Sequence, residues 1–314
     1  MKIVLVHSGK AFLPEMYAYQ AYLEGKGHQV MVQTAEEAAA QAEQAEQAER
    51  PDLYYRFAGF LRHRLSPDVP EIHEYASASI GAFPRVKNLL KSVASARPVG
   101  RVFLNMFVKD QFHFPVSAPF LFRDMGANNA FFEQRGCADK IYDLVYAGSI
   151  TGRAGVLDCI TRLAGKGLRI GLAGTVTEQE LVIIRSQPLI DYVGRLPVAD
   201  VPAFIARARF GLNYCPDIYP YNQQTSTKVI EYLAAGIGIV SNRYEWMVSH
   251  ATQNGYAFLD VSDINSASSL VGVPNAILDS ERARQFEWAR LLERADLDAF
   301  IRRCFLSNNA GNIA

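Results

Sequence analysis

Short apolar runs alternate along the chain with longer stretches in which apolar residues recur at helical spacing. The first run, residues 3–6, ends at the polar segment 7–9, and apolar residues then recur at helical spacing between 16 and 23 before a second run at 30–32. Such spacing predicts a strand, a helix and a strand in succession. The alternation therefore predicts an α/β fold with parallel sheets.

The same alternation occurs on both sides of a junction near residues 130–140, where residues 133–140 are polar. Further runs of strand length lie at 52–55, 69–72, 102–104, 144–147, 170–173, 192–193, 211–214 and 237–240. A chain of 314 residues is long enough for two domains. We predict two doubly wound, Rossmann-like domains at residues 1–135 and 136–314.

Two other stretches have helical patterns. Residues 35–49 are rich in Ala, Glu and Gln and lack large apolar residues, which predicts an exposed helix. Residues 280–305 predict a C-terminal amphipathic helix. One expectation is that this C-terminal helix crosses back to the first domain.

Composition and charge narrow the class of protein. Lys plus Arg equals Asp plus Glu, 32 against 32, which argues against the uniformly basic surface of a dedicated nucleic-acid binder. The four cysteines lack the spacing of a zinc site. The N-terminal apolar run is too short for a signal peptide, and no run is long enough to span a membrane. We therefore expect a cytoplasmic protein.

Basic residues are concentrated in one part of the first domain. Residues 50–101 contain nine Lys and Arg against four Asp and Glu, a net of plus five. An ordinary solvated surface is one interpretation of this excess. The functional alternative is contact with an anionic acceptor or with an acidic membrane surface, which would make the protein peripheral to the inner face of a membrane.

The segment 219–242 carries the most chemical information. A polar loop follows the run 211–214, and a short helix is predicted from about Thr227. The N-terminus of a helix presents backbone N–H groups and a positive dipole, so it can bind an anion. Lys228 lies in the first turn, where the positive end of the helix dipole repels a cation. A bound anion would compensate for this repulsion. The alternative is a simple ion pair between Lys228 and Glu231, three residues apart.

This segment resembles the nucleotide-sugar motif of GT-B glycosyltransferases, especially glycosyltransferase family 4, written K-x-x-E-Y-L-A-x-G-x-P-V-V. The matching residues are Lys228, Glu231, Tyr232, Leu233, Ala234, Gly236, Ile239 and Val240. The resemblance implies two domains facing a cleft, with residues 1–135 binding the acceptor and 136–314 binding the donor. It implies that Glu231 binds the ribose hydroxyls. Gln223 stands where the family commonly has a second glutamate, near the transferred sugar.

Other segments extend the resemblance. Residues 144–153 resemble the first strand and loop of the family's donor domain, which implies that Arg153 binds the diphosphate. Residues 171–175 and 193–196 resemble the next two strands. The donor-binding residues implied are Gly9, Gly148, Ser149, Arg153, Gly174, Arg195, Leu196, Gln223, Gln224, Thr225, Ser226, Thr227, Lys228 and Glu231.

Candidate catalytic residues come from both domains. Arg153 and Lys228 are candidates because two cations can offset the charge that grows on a departing diphosphate. His73 and Glu74 are candidates because they end a strand, on the side of a parallel sheet where ligands bind. A hydrogen-bonded structural histidine is the alternative for His73. Residues 296–298 have an Asp-x-Asp pattern inside the predicted helix, so no metal site is predicted.

The resemblance implies a retaining, metal-independent glycosyltransferase of class EC 2.4, without a cofactor. It would transfer a sugar from a nucleotide-diphosphate donor to a glycan or lipid-linked acceptor in cell-surface polysaccharide assembly. No nucleic-acid partner is expected. Two alternatives are a nucleotide-sugar 2-epimerase and a non-catalytic protein that binds sugar nucleotides. An NAD-dependent oxidoreductase is disfavoured because no GxGxxG follows the first strand.

Overall fold

A computed structural model of the chain describes residues 1–9, 13–44, 49–57, 60–79, 83–136, 139–270 and 278–311. The chain forms two compact units. The first contains Met1–Met125 and Trp288–Ala314, and the second contains Gly126–Glu287. None of the described helices is both long enough and apolar enough to cross a membrane.

The first unit is a six-stranded sheet with strand order β2-β1-β3-β4-β5-β6. All its strand pairs are parallel. Its elements are β1 (Lys2–His7), α1 (Pro14–Gly25), β2 (Gln29–Thr34), α2 (Ala35–Gln44), β3 (Leu53–Phe57), β4 (Glu71–Tyr75), α3 (Pro84–Ala94), β5 (Gly100–Phe103), α4 (Met106–Asp110) and β6 (Phe120–Phe122). Strands β3 and β4 are buried along their length and β1 is buried from Ile3 to Val6, as expected for a parallel sheet covered on both faces.

The second unit is also a six-stranded parallel sheet, with order β12-β11-β10-β7-β8-β9. Its elements are α5 (Asn129–Glu133), β7 (Tyr142–Ala147), α6 (Val156–Gly165), β8 (Ile170–Ala173), α7 (Glu178–Arg185), β9 (Ile190–Tyr192), α8 (Val201–Ala206), β10 (Ala208–Asn213), α9 (Thr227–Ala235), β11 (Gly238–Ser241), α10 (Glu245–Asn254), β12 (Leu259–Asp260) and α11 (Ser280–Ala283). Strands β7 and β10 are neighbours, and the strand order reverses between them. Ligands bind in the crevice at the carboxyl ends of strands at such a point.

The C-terminal helices return to the first unit. Helices α12 (Trp288–Arg294) and α13 (Leu297–Gly311) follow the second unit. Their apolar residues join the core formed by β1, α1 and β3: Trp288, Leu291, Leu292, Leu297, Phe300, Ile301 and Cys304. A Cβ atom on Gly100 would lie 2.6 Å from the Cys304 sulfur, so glycine is needed at this close contact. The expected crossing-back is thus present.

The prediction of two doubly wound domains is confirmed, but the predicted boundaries differ from the observed units. The chain passes to the second unit after Met125 rather than after residue 135, and residues 288–314 belong to the first unit. The long helix predicted at 280–305 is instead three helices and a 3-10 turn. A helical pattern shows that an apolar face must be buried, but it does not specify which sheet covers it.

Smaller differences concern short or partly covered elements. Strands β6 and β12 were not predicted; they have three and two residues, and so brief an apolar run has no distinct period. Helix α2 was predicted to be exposed. Its Ala38 is fully buried and packs with Val4 and Tyr54 on the sheet. Residues 45–48 of that predicted helix lie outside the described residues.

Candidate functional site

A pocket of about 290 Å³ lies in the second unit where β7 and β10 end. This is the position that the strand order identifies as a ligand site. Its walls come from the end of β7, the loop before α6, the loop after β10 and the first turn of α9. The lining includes Tyr146, Arg153, Asn213, Tyr214, Cys215, Gln224, Thr225, Ser226, Thr227, Lys228 and Tyr244.

Two helices begin at this pocket without a side-chain cap. The Ser226 residue occupies the N-cap position of α9, but its hydroxyl donates to Asn213 Oδ1 at 2.8 Å and does not cap the helix. Helix α6 begins after Gly155, which has no side chain to offer. The N-termini of both helices therefore line the cavity, and the positive end of each helix dipole favours an anion.

The side chain of Lys228 lies inside the site. Its ammonium is 5.1 Å from the centre of the Tyr146 ring, and a Cβ atom on Gly148 would lie 2.9 Å from Lys228 Cε. Burial lowers the pKa of Lys228, although Glu231 attracts the ammonium. Burying a cation is unfavourable unless a negative group compensates it. The position of Lys228 therefore suits an anionic ligand.

The ion pair considered as an alternative for Lys228 and Glu231 is not formed. Among the described residues, no ion pair within 4.0 Å or hydrogen bond joins these two side chains. Burial raises the pKa of Glu231 to about 7, against the opposing effect of Lys228. The carboxyl group of Glu231 thus changes charge close to neutral pH.

The loops after β7 and β8 meet through two glycines. A Cβ atom on Gly174 would lie 1.9 Å from the Gly148 carbonyl oxygen. Both glycines have positive φ, 149° at Gly148 and 151° at Gly174. Because neither glycine has a side chain, the two loops can lie in contact. The missing side chain of Gly148 also leaves the space that Lys228 occupies.

We expect the Gly174→Ala substitution to destabilise the protein by roughly 2–4 kcal/mol, because it adds backbone strain and overlap with a carbonyl oxygen. Chemical denaturation measures this loss. Gly165→Ala is the matched control, since nothing lies within 4 Å of its Cβ position and its φ is ordinary. Equal unfolding free energies for the two variants would contradict the close approach of the loops.

Polar contacts fix the loop after β10. The Asn242 side chain accepts from the Cys215 N–H at 3.0 Å and donates to the Cys215 carbonyl at 2.7 Å. Buried Asn213 donates to Ser241 Oγ and to the Tyr244 hydroxyl, each at 3.0 Å. These bonds hold the pocket wall to the ends of β10 and β11.

The two glutamines before α9 differ in position. Gln224 lines the pocket, and its buried Nε2 has no hydrogen-bond partner among the described residues. Gln223 ends a 3-10 turn, Tyr221–Gln223, and is not among the lining residues. An amide with an unused donor at the wall can bind a ligand oxygen.

The structure brings together only part of the predicted donor site. Arg153, Gln224, Thr225, Ser226, Thr227 and Lys228 line the pocket. Gly148 lies against the Lys228 side chain, and Gly174 lies against Gly148. Ser149, Arg195, Leu196 and Glu231 lie outside the lining, although Glu231 is on the same helix face as Lys228. Gly9 belongs to the first unit, where it follows β1 with a φ of 70°.

The candidate catalytic residues of the first unit are both buried. His73 Nε2 is 2.9 Å from Glu71 Oε2, and Glu71 also accepts from Arg56 at 3.1 Å. Burial lowers the pKa of His73, despite its contact with Glu71. His73 and Glu74 both have partners inside the first unit. The buried, hydrogen-bonded position of His73 is the one expected of a structural histidine.

Glu74 lies in a second buried cluster. It accepts from the Tyr19 hydroxyl at 2.8 Å, from the Tyr55 hydroxyl at 2.5 Å and from Arg123 Nε at 3.0 Å. Arg123 Nη2 also lies 3.5 Å from the carboxylate of Glu15. These contacts occupy the Glu74 carboxylate within the first unit.

Several lining residues were not predicted. Tyr146, Asn213, Tyr214, Cys215 and Tyr244 form the walls. Only their position at the ends of strands could have identified them from the sequence. Tyr146 is near the end of β7, and Asn213 is the last residue of β10. Residues at the carboxyl ends of strands at a switch point are expected to face the ligand.

No group of three or more His, Cys, Asp or Glu side chains able to hold a metal occurs within the described ranges. In the Asp-x-Asp segment, Asp298 lies 2.6 Å from His28 Nε2 and accepts from Arg302, while Asp296 pairs with Arg303. These aspartates have partners on and beside helix α13.

Comparison with known proteins agrees with this geometry. Residues 153–285, less than half of the chain, match the model of a family described as glycosyl transferase-like. No curated protein matches the sequence.

Solved structures of glycosyltransferases have the same fold. AviGT4, a glycosyltransferase involved in avilamycin A biosynthesis, has a TM-score of 0.67 at 14% identity, with 98% of each chain covered. HepE from Anabaena, in complex with UDP and glucose, has a TM-score of 0.60 at 11% identity, over 95% of this chain and 100% of HepE. WaaG, involved in lipopolysaccharide biosynthesis, has a TM-score of 0.61 at 12% identity, over 94% of this chain and 98% of WaaG.

At these identities the structural likeness establishes the GT-B fold. The fold and the family match together confirm the resemblance to glycosyltransferases that residues 219–242 predict. Residues 153–285 are therefore similar to glycosyl transferase-like proteins, within a chain that has the GT-B fold.

Proposed function

We propose that the protein transfers a sugar from a nucleotide-diphosphate donor to a glycan or lipid-linked acceptor, with retention of anomeric configuration and without a metal ion. The observation that carries the proposal is the pocket at the switch point, where two uncapped helix N-termini, Lys228 and Arg153 surround one cavity. Two cations and two dipole ends suit a diphosphate better than a neutral ligand.

The donor would bind with its diphosphate between Arg153 and Lys228. Arg153 is exposed at the rim and can bind two phosphate oxygens at once. Lys228 lies deeper, over the Tyr146 ring, where its charge is less screened by water. Bond breaking leaves extra negative charge on the departing nucleoside diphosphate, and these fixed cations would stabilise that charge.

Glu231 and the loop before α9 would bind the two sugars of the donor. A carboxylate can accept from both ribose hydroxyls, and Glu231 carries no hydrogen bond to another described side chain that would compete. The transferred sugar would contact Gln223 and the buried amide of Gln224. We assign the acceptor to the first unit, whose exposed residues include Arg62.

Incubation with UDP-glucose and related donors, with and without oligosaccharide or polyprenyl-phosphate acceptors, tests the proposal. We expect donor consumption to require acceptor, with product anomers assigned by NMR and activity retained in EDTA. A donor that is altered at C2 without acceptor would indicate an epimerase. Stabilisation of about 2.7 kcal/mol by donor at a hundred times its Kd, without turnover under any pairing, would indicate a binding protein.

We expect affinity for UDP-glucose to rise as pH increases from 6 to 8. The pKa of Glu231 is raised to about 7, so the carboxylate that accepts from ribose becomes populated across this range. The diphosphate diester of the donor keeps its charge over the same range, which isolates the protein group. Titration calorimetry at each pH measures the effect.

The Glu231→Gln variant is the control for this pH dependence. It keeps the size of the side chain but cannot ionise, so its affinity should be lower at pH 8 and nearly constant with pH. A wild-type profile that is flat, or one that is unchanged in Glu231→Gln, would remove Glu231 from ribose binding.

A further inference from the structure

Helix α3 of the first unit exposes its apolar side chains and buries its polar ones. The exposed fractions are 77% for Phe83, 53% for Val86, 51% for Leu89, 62% for Leu90 and 64% for Val93. Val86, Leu89, Leu90 and Val93 follow the i, i+3, i+4, i+7 spacing of a single helix face. An ordinary surface helix exposes its polar face and buries its apolar face, and helix α3 does the reverse.

Two buried polar residues fix this orientation. Asn88 Oδ1 accepts from the Ser79 N–H at 2.9 Å. Ser92 Oγ accepts from the His113 N–H at 2.9 Å and donates to the Asn88 carbonyl at 2.8 Å. Rotating α3 to bury its leucines would break these bonds and leave buried backbone groups without partners. The exposed apolar face is therefore part of the folded unit.

The start of the helix adds to this surface. Phe83 precedes α3 with a φ of 53°, a left-handed conformation that bulky residues rarely adopt. Phe83 is the most exposed of the large apolar residues in the described part of the chain. Isolated exposed apolar residues are common, but a contiguous group of five marks an interaction surface.

The charges of α3 indicate what that surface contacts. The helix contains Arg85, Lys87 and Lys91 and has no acidic residue. Helical spacing puts Lys87 and Lys91 to one side of the apolar face and Arg85 to the other. A helix with an aromatic and aliphatic face flanked by basic residues suits the boundary of an anionic bilayer, where acyl chains meet phosphate headgroups.

We propose that α3 is a membrane-binding helix, which inserts Phe83, Leu89 and Leu90 into the acyl boundary of an anionic membrane while its basic residues contact the headgroups. This attachment does not depend on the proposed transferase activity, because α3 and the pocket belong to different units. It would hold the protein where lipid-linked acceptors are found.

Flotation with vesicles tests the proposal in the absence of any sugar nucleotide. We expect the wild-type chain to bind phosphatidylcholine vesicles that contain phosphatidylglycerol, and to bind pure phosphatidylcholine more weakly. The double variant Leu89→Gln/Leu90→Gln should lower the partition coefficient by about tenfold or more, since both side chains lose apolar burial. Lys87→Gln/Lys91→Gln should weaken binding to anionic vesicles alone, and added salt should reduce that difference.

Val182→Gln/Ile183→Gln on α7 is the matched control. These two apolar residues are also exposed, at 70% and 46%, but their helix begins with Glu178 and Glu180. This variant should bind vesicles as the wild type does. The Leu89→Gln/Leu90→Gln and Val182→Gln/Ile183→Gln variants should keep the wild-type thermal midpoint, because the replaced side chains are exposed.

Three results would overturn the proposal. The first is a wild-type chain that does not float with anionic vesicles. The second is equal flotation of the wild type and the Leu89→Gln/Leu90→Gln variant. The third is self-association of the wild type that this variant abolishes, without vesicle binding, which would assign the surface to a second copy of the chain.

Discussion

The Lys228→Met substitution should lower kcat/KM by roughly 10²–10³, the usual cost of removing a positioned group that stabilises transition-state charge. Methionine keeps the contact of the long side chain with Tyr146 and the space beside Gly148, but removes the cation. Because Lys228 is proposed to lie beside the diphosphate, affinity should fall more for nucleoside diphosphate than for nucleoside monophosphate. Steady-state kinetics and calorimetry measure the two effects.

Arg185→Met is the matched control for this prediction. Arg185 is an exposed cation in the last turn of α7, in the same unit but outside the pocket lining. Its loss should leave both quantities unchanged. Equal losses of affinity for diphosphate and monophosphate in a folded Lys228→Met protein would contradict the placement of Lys228 beside the diphosphate.

The second large effect concerns stability. We expect Arg123→Met to lower the unfolding free energy by about 3–5 kcal/mol at neutral pH, the cost of removing one partner of a buried ion pair. The side chain of Arg123 is fully buried and pairs with Glu74 and Glu15. Without the guanidinium, both carboxylates become buried charges without a counter-ion. Burial already raises the pKa of Glu15, although Arg123 attracts its carboxylate.

Urea denaturation at pH 7 and pH 5 measures this loss. The deficit should be smaller at pH 5, because burial raises the pKa of Glu15 and its protonation removes part of the uncompensated negative charge. Adding Glu74→Gln to Arg123→Met should recover part of the stability, since the charge itself is then absent. Arg50→Met, which removes the exposed pair with Asp68, should cost at most about 1 kcal/mol. An equal loss for Arg50→Met and Arg123→Met would contradict the buried cluster.

Most of the fold could be predicted from local pattern. Buried parallel strands appear as short apolar runs, and β1, β2, β3, β8 and β11 lie at or within a few residues of the predicted runs. The start of α9 at Thr227 was predicted from a polar loop followed by helical spacing. These features depend on residues close together in the chain, so the sequence alone contains them.

The candidate site was predicted in part for the same reason. Lys228 and Ser226 are in one motif, and the motif resembles a known family. Asn213 and Tyr244 belong to the same pocket, but they are distant in sequence and carry no motif. Only the strand order, which puts β10 between β7 and β11, brings them to the wall. Strand order depends on contacts between distant segments, and periodicity does not report such contacts.

The sequence by itself therefore determined the class of fold, the location of most of the strands and the helix that begins at the pocket. Tertiary structure decided that helices α12 and α13 pack on the first sheet, and that Glu74 is enclosed by Arg123, Tyr19 and Tyr55. It also decided that α3 turns Asn88 and Ser92 inward. In each case the local pattern identifies an amphipathic face or a charged side chain, but a free-energy balance among distant segments selects its partner.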